Sequence, residues 1–215
     1  MQTPYALHSV LFSLCGSLVD FGSHCRTHWQ RHADLPGLIH EAEQHAKRLA
    51  AGARQCLQHL HQRQLRYLWV DDLPAPACAV LQRPLSEISA SNVDALQWNA
   101  QHLRPWPAPD RLWHALSHLE APALHGSVLV SSDPATLQAG MNAGLWCIGL
   151  AVSSQHIGLS ESEWHALPAP QQDALRAQAT LGLFKLGVHS VIDSVSELPD
   201  CLDDIAHRLA RGERP

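Results

Sequence analysis

Lysine is almost absent from this chain of 215 residues, which carries only Lys47 and Lys185, and no stretch gathers basic side chains. Fifteen Lys and Arg stand against twenty Asp and Glu, a formal charge of −5. Phosphate-backbone recognition needs concentrated cations, so nucleic-acid binding is excluded as an expectation. No apolar run reaches the roughly 18 residues that span a bilayer, and Met1 to Ser9 lacks a basic leader segment. Neither membrane insertion nor secretion is therefore expected, and a cytoplasmic location follows by default. Cys-x-x-Cys pairs are also missing. The six cysteines, at 15, 25, 56, 78, 147 and 201, are dispersed, which predicts reduced thiols rather than a disulfide framework or zinc site.

What the chain does have is 46% hydrophobic residues, enough to bury a sizeable core in one domain with a small appendage. Apolar runs alternate with helical patterns. Strands are predicted at Ser9 to Phe12, Leu65 to Val70, Gly126 to Val130, Leu145 to Val152 and Val188 to Ile192, with a further short one at Asn92 to Trp98. Helices are predicted over Pro36 to Ala51, Ala53 to Arg63, from the Pro74 and Pro76 region to about Leu85, Pro109 to Leu119, from Pro134 onward, Gln171 to Leu186, and Val195 to Arg211. Such alternation implies an α/β fold, a mainly parallel sheet flanked by helices, with its functional crevice at the strand C-termini. Sixteen histidines are spread along the chain. His28 with His32 and His114 with His118 have i, i+4 spacing, but no His-Glu-x-x-His pattern accompanies them, and solvated helix faces are the expectation.

The first strand delivers Ser13 to a small-residue loop, Leu14-Cys15-Gly16-Ser17, followed by Leu18-Val19-Asp20-Phe21-Gly22-Ser23. This stretch resembles the first motif of the haloacid dehalogenase-like (HAD) superfamily, and within it phosphonoacetaldehyde hydrolase (phosphonatase). Asn142-Ala143-Gly144-Leu145-Trp146, Gly149 to Ser153, Gly187-Val188-His189, Val191 to Ser194 and Glu197-Leu198-Pro199 extend the likeness over nearly the whole core. The resemblance implies a Rossmann-like HAD core formed by residues 1–23 and 50–215, with residues 24–49 as a reduced helical cap. It also implies that four loops carry the chemistry: those after Ser13, Val70, Trp98 and Val130.

At the positions the resemblance marks as working ones, the residue types differ. Ser13 stands where the family has its nucleophilic aspartate, and a hydroxyl needs a base that no local signature provides. Cys15 occupies the acid/base position of many HAD phosphatases and reads as a small packing residue. Gly16 and Ser17 remain available to cradle phosphate. Ser131 and Ser132 replace the paired metal aspartates, and neutral hydroxyls are poor Mg²⁺ ligands. Asp133 would restore one ligand if the loop slipped by a residue. Asp71 and Asp72 fill the phosphate-binding loop, where a carboxylate either repels a phosphoryl group or caps the helix near Pro74. Arg104, in Arg104-Pro105-Trp106-Pro107, resembles the family's basic residue, or is a loop cation. Lys47 is the only lysine of the shortened cap and reads as a solvated charge rather than a Schiff-base amine.

These substitutions predict a protein without phosphoryl-transfer activity and without the family's Mg²⁺, acting as a non-catalytic binding or regulatory protein. The alternative is a residual or altered hydrolase of phosphonoacetaldehyde or another small phosphorylated compound. Expected partners are another protein, a second copy of the chain, or a small anion, with Trp29, Trp106 and Trp113 offering exposed apolar surface.

Overall fold

A computed structural model describes residues 6–86, 88 and 103–215. Five strands, β1 (Ser9–Ser13), β2 (Arg66–Val70), β3 (Ser127–Ser131), β4 (Trp146–Leu150) and β5 (Ser190–Ile192), form one parallel sheet in the order β2-β1-β3-β4-β5. β1, β3 and β4 are buried along their whole length, which is why they read as continuous apolar runs rather than alternating ones. The expected strand at Asn92 to Trp98, and the loop after it, lie outside the described residues.

Successive strand side chains point to opposite faces, and this sorts the core into two layers. Val10, Phe12 and Val130 face one way and meet Leu38 and Ala42, Leu57 and Leu60, Leu202 and Ile205. Leu11, Leu68 and Leu129 face the other way, against Leu112, Leu116, Leu137 and Leu183. Each fully buried Leu or Phe contributes about 1.5–3 kcal/mol relative to exposure. The helices that carry these residues are α1 (His24–His32), α2 (Leu35–His45), α3 (Ala53–Gln62), α4 (Ala75–Leu81), α5 (Asp110–His118), α6 (Pro134–Ala143), α7 (Glu161–Ala166), α8 (Ala169–Leu186) and α9 (Leu198–Ala210). Among the described residues no helix is long and apolar enough to cross a membrane.

Several boundaries depart from expectation. The helix predicted over Pro36 to Ala51 stops at His45, and Val195–Glu197 forms a 3-10 turn before α9 begins, with Pro199 in its first turn. α1 was not predicted: its sequence is polar, and its first N–H groups are capped not by Ser23, which is left-handed at φ 55°, but by the Asp20 carboxylate. α7 likewise escapes the apolar pattern, although Ser160 and Glu163 form a reciprocal capping box that marks its start. The segment 24–49 is a pair of packed helices whose Cys25, Leu38 and Ala42 belong to the same apolar cluster as Val10 and Phe12.

Candidate functional site

β1 is flanked by β2 on one side and β3 on the other, so the chain turns to opposite sides of β1 after these strands. Crevices of parallel sheets form at such a reversal, outside the strand C-termini. Ser13, Asp71 and Ser132 all end or follow these strands, and all are buried.

Ser13 Oγ lies 2.8 Å from Ser17 Oγ and donates to the Cys15 carbonyl at 3.3 Å. Neither partner is a general base, and a hydroxyl so held is a structural tie. The loop it enters closes on itself, with Gly16 N–H donating to the carbonyls of Val19 at 2.9 Å and Asp20 at 3.0 Å. Gly16 has φ +70° and a Cβ there would lie 2.0 Å from Ser132 Oγ, so only glycine fits. Ser23 Oγ meets Ser132 Oγ at 3.0 Å, Ser132 Oγ donates to the Cys15 carbonyl at 3.5 Å, and Ser153 Oγ donates to the Gly16 carbonyl. Hydroxyls therefore stitch together the loops that follow β1, β3 and β4.

Charge concentrates on a residue that the sequence pattern did not single out. Arg26, on α1 and 4% exposed, donates from Nη2 to Asp71 Oδ1 at 2.6 Å and from Nη1 to Asp72 Oδ1. Burial pulls the guanidinium toward neutrality, but Asp71, Asp72 and Asp133 together raise its pKa well above the ordinary value, so it stays charged. Burial raises Asp71, against the pull of Arg26, and the like charges of Asp72 and Asp133 add to the rise. One cation thus bridges two carboxylates with a third close by. No motif surrounds Arg26, and only its spatial partners mark it.

The remaining expected positions are placed as follows. Asp71 Oδ1 also accepts the N–H groups of Asp72 at 2.9 Å and Leu73 at 3.2 Å, so it organises its own turn; the N-cap of α4 is Pro74, not either aspartate, which corrects the capping expectation. Asp133 caps α6, its Oδ2 accepting from Thr136 N at 2.8 Å and Thr136 Oγ1 at 2.6 Å. Arg104 is on the surface, held by Asp110 at 2.6 Å. Lys47 is exposed and donates to Gln44. Cys15 is buried in the core, and the neighbouring Cys25 thiol together with burial raises it well above the usual thiol range. Asp20 is pushed up to about 6 by burial, partly offset by the Cys25 N–H. Of the three tryptophans expected on the surface, only Trp113 is exposed; Trp29 on α1 and Trp106 are partly buried and pack against the core, with Arg111 over the Trp106 ring at 5.9 Å.

No family model matches the chain. It is 32% identical over 166 residues to phosphonoacetaldehyde hydrolase of Bordetella pertussis, an alignment covering 76% of this chain and 59% of that protein. A crystal structure of a phosphonoacetaldehyde hydrolase like protein from Oleispira antarctica superimposes with a TM-score of 0.87 at 21% identity, covering 97% of this chain and 96% of that one. A HAD family hydrolase from Deinococcus radiodurans superimposes with a TM-score of 0.60 at 17% identity, over 94% and 97% of the two chains. The chain belongs to the haloacid dehalogenase-like superfamily. Within the HAD superfamily its relatives by sequence are phosphonoacetaldehyde hydrolases, and the chain spans about half the length of the curated ones it matches.

The HAD superfamily implies Mg²⁺ beside the nucleophile, and the donor set here does not fit it. Ser131 Oγ accepts from Asp133 N at 3.1 Å and Ser132 Oγ is tied to Ser23, so the loop after β3 offers neutral oxygens already in use. Asp133 Oδ1 and Asp71 Oδ2 are buried without a hydrogen-bond partner, yet the charge of Arg26 already acts on both carboxylates. A fixed guanidinium stands among the acids where a hard cation would compete for them.

Proposed function

We propose that this HAD-fold protein has lost phosphoryl transfer and serves as a non-catalytic binding or regulatory protein. The observation that carries this reading is the buried Arg26 bridge to Asp71 and Asp72, at the C-terminal end of the sheet. An incoming phosphoryl group would face the carboxylates of Asp71, Asp72 and Asp133 and a guanidinium already bonded to the first two. Ser13, tied to Ser17, supplies no anionic attacking group. In this reading residues 24–49 are the remnant of a cap, which contributes a stopper rather than a lid. Free thiols at all six cysteines support a reducing, cytoplasmic setting. Trp113 on α5, with Leu181 and Phe184 on α8, exposes large apolar side chains, which supports a protein partner or self-association.

The test is direct. Purified protein is incubated with phosphonoacetaldehyde and with generic phosphate esters, with and without Mg²⁺. No turnover above the protein-free control is expected. Metal-dependent turnover that Asp133→Ala abolishes would overturn the reading and restore the hydrolase alternative.

A further inference from the structure

Asp20, His24 and His45 form a cluster that the non-catalytic reading does not use. Each offers one ligand atom, and these atoms lie within 4.8 Å of one another. They come from three places in the fold: the loop after β1, the first residue of α1 and the last of α2. The two imidazole rings stack 4.1 Å apart at 12°, so their in-plane lone pairs run nearly parallel and binding one ion requires the side chains to rotate out of the stack.

Two imidazoles and one carboxylate are a donor set that suits a borderline cation, and three protein ligands leave a fourth position open. Asp20 is 2% exposed, and its oxygens accept one N–H each, from His24 at 3.0 Å and Cys25 at 2.9 Å. Those bonds fix the carboxylate, and the Cys15 and Cys25 thiols also lie beside it, so a metal would take up the remaining acceptor capacity in competition with them. His24 Nε2 is buried and lacks a hydrogen-bond partner. Glu41 Oε2 stands 3.3 Å from His45 Nε2, the kind of carboxylate contact that orients an imidazole ligand. Glu163 acts electrostatically on both histidines, adding negative charge from α7. Asp20 and His45 also line a cavity of about 300 Å³. Lys47 and Arg48 line it too, but Arg48 is bound to Glu161 at 3.0 Å.

We propose that Asp20, His24 and His45 form a transition-metal site suited to Zn²⁺, with its open position facing this cavity. A competing set, Cys15 with Asp20 and Cys25, shares the aspartate but is closed off in the core. The cavity wall includes none of Arg26, Asp71 and Asp133, so the site stands or falls independently of the lost phosphoryl chemistry.

The full chain, stripped with chelator, is titrated with Zn²⁺ by calorimetry and with Co²⁺ by absorption. One equivalent should bind saturably and raise the melting temperature. His24→Asn and His45→Gln should each weaken binding by about 100-fold, the upper range for losing even an outer-shell partner. His28→Gln, on the neighbouring histidine pair of α1, should leave it unchanged. Absence of saturable binding, or full binding by His45→Gln, overturns the proposal. Should a variant fail to melt cooperatively without metal, the Co²⁺ spectrum of the unaltered chain decides. Visible tetrahedral bands alone support the site, and a strong thiolate-to-cobalt charge-transfer band assigns the ion to Cys15 and Cys25 instead.

Discussion

Arg26 on α1 grips Asp71 at the end of β2 with 2.6 Å between Nη2 and Oδ1, across 45 residues of chain. Both side chains are buried, so removing one partner leaves an uncompensated charge. Arg26→Met should cost about 3–5 kcal/mol of unfolding free energy in urea titrations. Arg26→Met combined with Asp71→Asn should recover much of that loss, because the stranded carboxylate goes with its partner. Arg26→Lys should not rescue, since one ammonium cannot reproduce a fork that reaches both Asp71 and Asp72. A single Arg26→Met variant as stable as the unaltered protein would contradict the arrangement.

Gly16 carries the loop after β1 at φ +70°, packed against Ser132, Ser23 and the carbonyl of Ser153. Gly16→Ala combines a left-handed residue, costing roughly 1–2 kcal/mol, with overpacking of about 1–3 kcal/mol. Chemical denaturation should therefore show a loss of several kcal/mol. The serine ties between loops should loosen with it, visible as faster amide hydrogen exchange at Ser23 and Ser132.

Asp133 holds the first turn of α6 through Thr136. Asp133→Ala removes an N-cap and should destabilise by about 0.5–2 kcal/mol, while Asp133→Asn, which keeps an acceptor, should cost less. A thermal melt of each variant checks the order. If Asp133 instead held a metal, added Mg²⁺ would stabilise the unaltered protein and not Asp133→Ala.

His189 accepts the Cys147 N–H through Nδ1 at 2.9 Å, and burial, then the nearby Arg208, lowers its pKa below the ordinary value. The folded state prefers neutral imidazole, so the unfolded chain binds more protons as pH falls below about 6.5. The contribution is complete above that pH and is lost as pH drops through the lowered folded value. His189→Asn keeps an acceptor but cannot titrate. Its stability, measured by denaturation across about pH 5 to 7, should fall less steeply than that of the unaltered protein.

The strands were legible because short runs such as Val10 to Phe12 and Val128 to Val130 are apolar without alternation, as strands of a parallel sheet covered on both faces are. The start of α6 was legible from Pro134, which suits a first helical position, while its left-handed stop at Gly144 was not read from the sequence. α1 was not: its cap comes from Asp20 and its burial from contacts with α2, neither of which leaves a 3.6-residue apolar pattern. Ser160 and Glu163 did carry a local signal for α7, one that apolar periodicity alone passes over.

Residue type by itself determined that Ser13, Ser131 and Ser132 offer hydroxyls where the HAD superfamily is expected to offer carboxylates, because chemistry of that kind belongs to a side chain wherever it lies. Arg26 against Asp71, Cys15 against Cys25, and Asp20 beside His24 and His45 were decided only by the tertiary structure. Electrostatic partnership depends on distance through space and on exclusion of water, and packing α1 and α2 against the sheet supplies both.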